Sequence, residues 1–252
     1  MAGTGEVMFN REYWDPTPHK LQKQPPLEIH PIHGVLPFAG SRNPLTRSNS
    51  ARRVSMTFST PHLNGVQQVF LFESELESAV ALEAMLSPDF YHLEVQLPPM
   101  FYHTDRDRPL RHYFDLRVTF RDGHRRLFFV RNDESLRHQN TADEIAAIYA
   151  AIPADLGDSF IVASGEHYSR ARRDNLRRIW DLSQDTDPNA NQYVFEIARS
   201  RTFSLAKDLV SACRDLSGSD AMHSIYRLIG QNLLTANWDA AINQYSRVWP
   251  TK

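Results

Sequence analysis

The stretch YFDLRVTFRDGHRRLFFVR, residues 113–131, alternates on either side of an Arg-Asp-Gly break. Successive side chains on a strand point to opposite faces, so the segment predicts a β-hairpin. Leu116, Val118 and Phe120 form one face of its first strand; Tyr113, Asp115, Arg117 and Thr119 form the other. A two-residue Asp122-Gly123 turn would put Phe128 and Val130 on the face of Asp115. A three-residue Arg121-Asp122-Gly123 loop, with Gly123 left-handed, would put Leu127, Phe129 and Arg131 there. Both faces of the returning strand are largely apolar, so hydrophobicity leaves the register open.

The surrounding chain divides into three parts. Residues 1–65 contain DPTPHKLQKQPPLEIHPIHGVLPF, whose prolines favour extended or turning backbone. They are expected to form a basic, partly extended arm. His30 and His33 lie in it without a third ligand nearby in sequence, and read as an incidental surface pair. Order is expected to begin near GVQQVFLF. In ESELESAVALEAML, a run of strong helix formers, Ser74 and Glu77 fit a capping box. HLEVQLPPMFYH reads as a strand stopped by Pro98 and Pro99. TADEIAAIYAAI reads as a helix capped by Thr141 and Glu144, with Ile145, Ile148, Tyr149 and Ile152 as its apolar stripe. SFIVAS is a further short strand. Residues 66–165 therefore read as an α+β domain, a mixed sheet with flanking helices. From Glu166 to the end, residues 166–252, the pattern is all-helical, with Gly218 and Gly230 as helix stops. That fits a small winged-helix-like or three-helix domain.

Charge and composition narrow the functional classes. The formal net charge is −2, so no global field points to nucleic acid. Local clusters do exist. Arg42, Arg47, Arg52 and Arg53 fall between Gly40 and Thr57 with no acid among them. Arg170, Arg172, Arg173, Arg177 and Arg178 accompany only Asp174. Arg170, Arg173 and Arg177 share a helical face and could grip phosphates; a solvated face is the competing reading. The single cysteine, Cys213, excludes an internal disulfide and a cysteine zinc cage, and reads as a small core residue. No apolar run is long enough to span a bilayer. The start MAGTGEVMFNREYW lacks the apolar region of a signal peptide, and a cytoplasmic location is expected.

Glu77, Asp115, Phe129 and Arg131 then come together as a set. A helix glutamate, a strand aspartate and an acid-x-lysine on the next hairpin strand form the layout of the PD-(D/E)XK nucleases. Such carboxylates hold magnesium, which polarises a phosphate and activates the attacking water. The wider sequence resembles the TnsA family, the endonuclease subunit of heteromeric transposases. Glu73–Glu77 matches its ESxLE helix, and Gln96–Leu97 its Q-P strand. Phe114–Asp115–Leu116, Asp122–Gly123 and Phe129–Val130–Arg131 match its PDF, DG and E/Q-V-K elements. Asn175 and the ending IYRLIGQNLLTANWDAAINQYSRV are also similar, so the resemblance covers residues 52–248. It favours the three-residue loop.

The resemblance implies a restriction-endonuclease-like domain over residues 66–165 and a winged-helix-like one after it. It implies transposon-end DNA, a DDE-type transposase subunit and an AAA+ regulator as partners, with no membrane. Glu77 and Asp115 would be the metal ligands, and Arg131, Arg170, Arg173, Arg177, Arg52 and Arg53 would contact DNA. The chain departs from the pattern where it matters most. Phe129 replaces the acid or glutamine, and Arg131 replaces the lysine. Phenylalanine offers no ligand oxygen; arginine keeps the charge but as a planar fork that can clamp a phosphate. Cleavage is therefore expected to be impaired or lost, leaving a DNA-holding and assembly role. Two alternatives stay open. One is an active magnesium-dependent nuclease with a relocated ligand from Glu73, Gln96, Asp133 or Glu134. The other is a non-enzymatic binding module of another lineage, in which Glu77 only caps its helix and Asp115 only faces solvent.

Overall fold

The computed structural model describes residues 29–44, 53–104, 108–131 and 133–251. Three short strands open it. β1 (Val35–Leu36) and β2 (Val54–Phe58) flank β3 (Gln67–Phe72), the first parallel and the second antiparallel to it. The 54–58 segment, expected to belong to the arm, is thus a full sheet strand. Its alternation Val54, Met56, Phe58 was hidden by the arginines before it; Phe58 stacks on Phe70 with centroids 4.1 Å apart.

α1 (Glu75–Met85) starts where expected, because the Ser74 hydroxyl accepts a hydrogen bond from the Glu77 amide at 3.1 Å. After it come β4 (Phe90–Val95), β5 (Met100–Tyr102), β6 (Leu110–His112), β7 (Leu116–Phe120) and β8 (Arg125–Arg131). Then follow α2 (Asp133–Leu136), α3 (Gln139–Ala150) and β9 (Ser159–Ser164). Strands β4, β7, β8 and β9 make one mixed sheet in that order, antiparallel except for the β8–β9 pair. β5 and β6 pair separately.

The hairpin takes the three-residue loop. Phe120 and His124 close it, Leu116 stands opposite Phe128, and Gly123 has φ +87°. A side chain at that φ is disfavoured, which is why glycine sits there. The sheet is covered on both faces. Leu93, Val95, Leu116, Val118, Phe128 and Val130 pack with α1 and β3 residues such as Val80 and Phe72. Phe114, Leu127 and Phe129 pack with Ile148 of α3. β8 reads apolar on both faces because both are buried.

α3 begins before Thr141, at Gln139, and its cap residue His138 makes no side-chain cap bond. Thr141 lies inside the helix, so the expected capping box does not form. Of the expected stripe, Ile148 is buried while Tyr149 is 65% exposed.

The C-terminal part holds α4 (Arg170–Ser183), α5 (Pro188–Ser200), α6 (Ala206–Ala212) and α7 (Gly218–Gly230). It is not all-helical. β10 (Leu234–Ala236) pairs antiparallel with β11 (Val248–Pro250), and residues 237–247, expected as a helix, are a loop. Asn175 of α4 explains the loop. Its amide donates to the carbonyls of Trp238 and Ala240 at 2.9 and 2.8 Å, and its oxygen accepts from Ile242 N at 3.0 Å. Three backbone groups are thereby satisfied without a helix. Gly218 is not a stop but the first residue of α7, capped by Ser217. Cys213 is a buried free thiol at the end of α6.

The two parts touch through α1 and α4. Arg172 pairs with Glu83, and the Trp180 ring meets Phe58 edge-on at 5.6 Å. Among the described residues, no helix is long and apolar enough to cross a membrane.

Candidate functional site

Four chain segments converge at the open end of the four-stranded sheet. α1 brings Glu77, the end of β4 brings Gln96, the entry to β7 brings Asp115, and the segment after β1 brings Arg42.

Glu77 is both a cap and a pocket residue. It is 5% exposed. Its Oε1 accepts from the Ser74 hydroxyl at 3.2 Å. Its Oε2 accepts from Glu73 N at 2.9 Å and from the Gln96 side-chain amide at 3.3 Å. Burial raises its pKa to about 8, and the charge of Asp115 adds to the effect. Asp115 does not face solvent; it is 6% exposed. Its Oδ2 accepts from Val130 N at 2.8 Å across the hairpin. Burial pushes its pKa up to about 6, with the Val130 amide, Arg131 and Arg42 opposing the rise.

Gln96 is the joint between segments. Its φ of +51° is left-handed, unusual for a non-glycine residue. Ser41 pins it: the hydroxyl donates to the carbonyls of Gln96 and Leu97 at 2.9 and 2.7 Å, and Ser41 N to Gln96 O at 2.8 Å. The next residue, Arg42, donates from Nε to Gln96 Oε1 at 2.6 Å and from Nη2 to Glu73 Oε2 at 3.0 Å.

Phe129 stands where the third ligand was expected. It is 1% exposed, and its ring is part of the core that packs on α3. The Arg131 guanidinium lies over it, and the His112 ring meets it at 4.5 Å. Burial, reinforced by the charges of Arg131 and Arg42, lowers the His112 pKa to about 4. Its Nε2 is buried and has no hydrogen-bond partner among the described residues.

This donor set does not fit magnesium, which wants octahedral oxygen ligands and keeps several waters. Both Glu77 oxygens and one Asp115 oxygen already accept protein hydrogen bonds. The Gln96 oxygen is taken by Arg42, and the remaining strand position is an apolar ring. Among the described residues, no group of three or more His, Cys, Asp or Glu is placed to hold a metal ion. Of the relocated ligands, Asp133 is committed elsewhere, accepting from Glu166 N at 2.9 Å. Glu134 is exposed on α2, 3.8 Å from Arg137. Glu73 and Gln96 do border the pocket.

The arginine helix is partly neutralised. Asp174 stands 4.0 Å from Arg170 and 3.9 Å from Arg177, and Glu75 lies 3.7 Å from Arg177. Arg172 and Arg178 serve packing, the latter donating to the Tyr226 hydroxyl and Ile242 O. Arg170, Arg173 and Arg177 lie along α4. Arg53 is half-buried just before β2; Arg52 falls outside the described residues.

A separate cavity of about 330 Å³ runs between β3 and β4. Phe38, His62, His92 and Gln96 help line it; Glu77 and Asp115 do not. Arg42, Ser41 and His112 join the site through partners that lie far away along the chain, so no local pattern announced them. No known protein family matches the sequence, and no curated protein matches it.

Proposed function

We propose that the chain is a TnsA-like subunit of a DNA transposition system that holds transposon-end DNA without cutting it. One observation carries the reading. Gln96 joins Glu77 of α1 to Asp115 at the entry to β7, its side-chain amide donating to Glu77 Oε2 at 3.3 Å and its backbone N to Asp115 O at 2.8 Å, while the buried Phe129 ring stands where the resemblance expects the third ligand. The order of elements supports it. Helix α1, strands β4, β7 and β8, helix α3 and then β9 parallel to β8 suit a restriction-endonuclease-like core. Four helices, α4 to α7, followed by the β10–β11 pair suit a winged-helix-like second part.

On this reading Arg131 and two exposed arginines of α4, Arg170 and Arg177, contact phosphates, and affinity falls steeply with salt. The partners are a DDE-type transposase subunit and an AAA+ regulator. The test combines purified protein, those partners, end DNA and magnesium. Retention of end DNA with no nicking is expected. Failure to bind the DNA or to join the assembly overturns the proposal.

A second reading is favoured by Glu73, whose backbone N donates to Glu77 Oε2 at 2.9 Å and whose carboxylate accepts from Arg42 at 3.0 Å. There the protein is an active nuclease with Glu73 as the relocated ligand. Magnesium-dependent nicking that disappears in both Glu77→Ala and Glu73→Ala would establish it.

A further inference from the structure

Arg42 comes from a segment that precedes the four-stranded sheet, yet it bonds to residues that border the carboxylate pocket. Its two nitrogens bond to different elements: Nε to the Gln96 oxygen at the end of β4, Nη2 to the Glu73 carboxylate before α1. Its charge is felt by Asp115 and by His112. Gln96 in turn passes its amide to Glu77. The backbone just before Arg42 is fastened by three Ser41 hydrogen bonds to Gln96 and Leu97. Gly40 is needed for this approach, since a Cβ there would fall 2.9 Å from Val95 O and 2.2 Å from the Phe38 ring.

We propose that Arg42 is the resident cation of this pocket, a covalently tethered positive charge in the place a divalent ion would take. The argument is one of charge and ligand count, and it stands apart from the functional reading. Glu73, Glu77 and Asp115 crowd together, and such a cluster needs positive charge nearby. Arg131 supplies some from the β8 side, stacked on Phe129. Arg42 adds a second positive charge and occupies the Gln96 amide oxygen, which could otherwise enter an ion's shell. A cation bound through Glu77 and Gln96 must first expel it. The segment carrying Arg42 therefore both closes the pocket and excludes metal.

Manganese is a suitable probe, with thermal unfolding of the full chain as the readout, near pH 8 so that the carboxylates can ionise. Wild-type protein is expected to show no change in melting temperature with manganese. Arg42→Ala and Arg42→Gln melt several degrees lower. Roughly 5 mM manganese raises both by about 3 °C or more. Arg42→Lys stays near wild type without metal. Adding Glu77→Gln to Arg42→Ala abolishes the manganese response. A wild-type response equal to that of the variants overturns the proposal, as does a destabilised variant that manganese leaves unchanged. The latter would mean that Arg42 only fastens the segment. If Arg42→Ala does not fold alone, the yield of refolded protein with and without manganese is the same test, and equal yields overturn it.

Discussion

The Arg131 guanidinium lies 4.0 Å from the centre of the Phe129 ring, two residues back on the same strand. A cation stacked on an aromatic face gains on the order of 1 kcal/mol, more where water is excluded. The pair is thus a self-contained unit, with the ring below in the core and the charge above toward the pocket. Phe129→Ala should cost about 3–5 kcal/mol through the cavity it leaves. Phe129→Glu should cost at least as much, because it drives a carboxylate among Phe114, Leu127 and Ile148. It should not produce nicking. Urea unfolding and a plasmid-nicking assay check both, and nicking by the Glu variant would show that the position opens onto the pocket after all.

Acid should stabilise the protein locally. The folded-state pKa of Glu77, about 8, lies above its ordinary 4.5, so the folded chain holds more protons between those values. Stability then falls as pH rises from roughly 5 to 8. Asp115, raised to about 6, acts in the same direction over a narrower range. Glu77→Gln removes the larger part of the slope. Unfolding midpoints measured across this window should be flatter for the variant, and identical slopes would show that Glu77 is not buried as described.

Gly123 sets the hairpin register at the cost of a left-handed backbone. Nothing lies within 4 Å of a Cβ built there, so Gly123→Ala meets strain without a clash. The expected loss is about 1–2 kcal/mol. Gly123→Asn, whose side chain tolerates the left-handed region, should lose less. Chemical denaturation of the two variants reads the difference.

Asn175→Ala should be among the most damaging polar substitutions. It strands two carbonyls and one amide of the 238–242 loop, at about 1–3 kcal/mol for each group left buried and unpaired. Asn175→Asp should also destabilise, because a carboxylate cannot donate to Trp238 O and Ala240 O. Differential scanning calorimetry is the natural measurement.

What could be read from the sequence was what neighbours in the chain decide. The Ser74 cap of α1, the hairpin and its alternation, and the short strand β9 all depend on residues a few positions apart. The register was not local: it depended on whether Gly123 would take a positive φ, which both faces of β8 left open. Arg42 could be seen only as one charge in a basic run, because its partners Glu73 and Gln96 lie 31 and 54 positions away. The helix expected over residues 237–247 failed for the same reason. Asn175, more than 60 positions earlier, satisfies the loop backbone in place of helical bonds. β2 was missed because proline and arginine dominate the residues before it and mask a five-residue alternation.

The edge-to-face contact of Trp180 with Phe58 has a mechanical consequence. Phe58 is a strand residue of the first sheet, and Trp180 belongs to the helix that opens the C-terminal part. The Arg172–Glu83 pair bolts the same two bodies together beside it. A displacement of α4 is therefore carried to α1, the helix that bears Glu77.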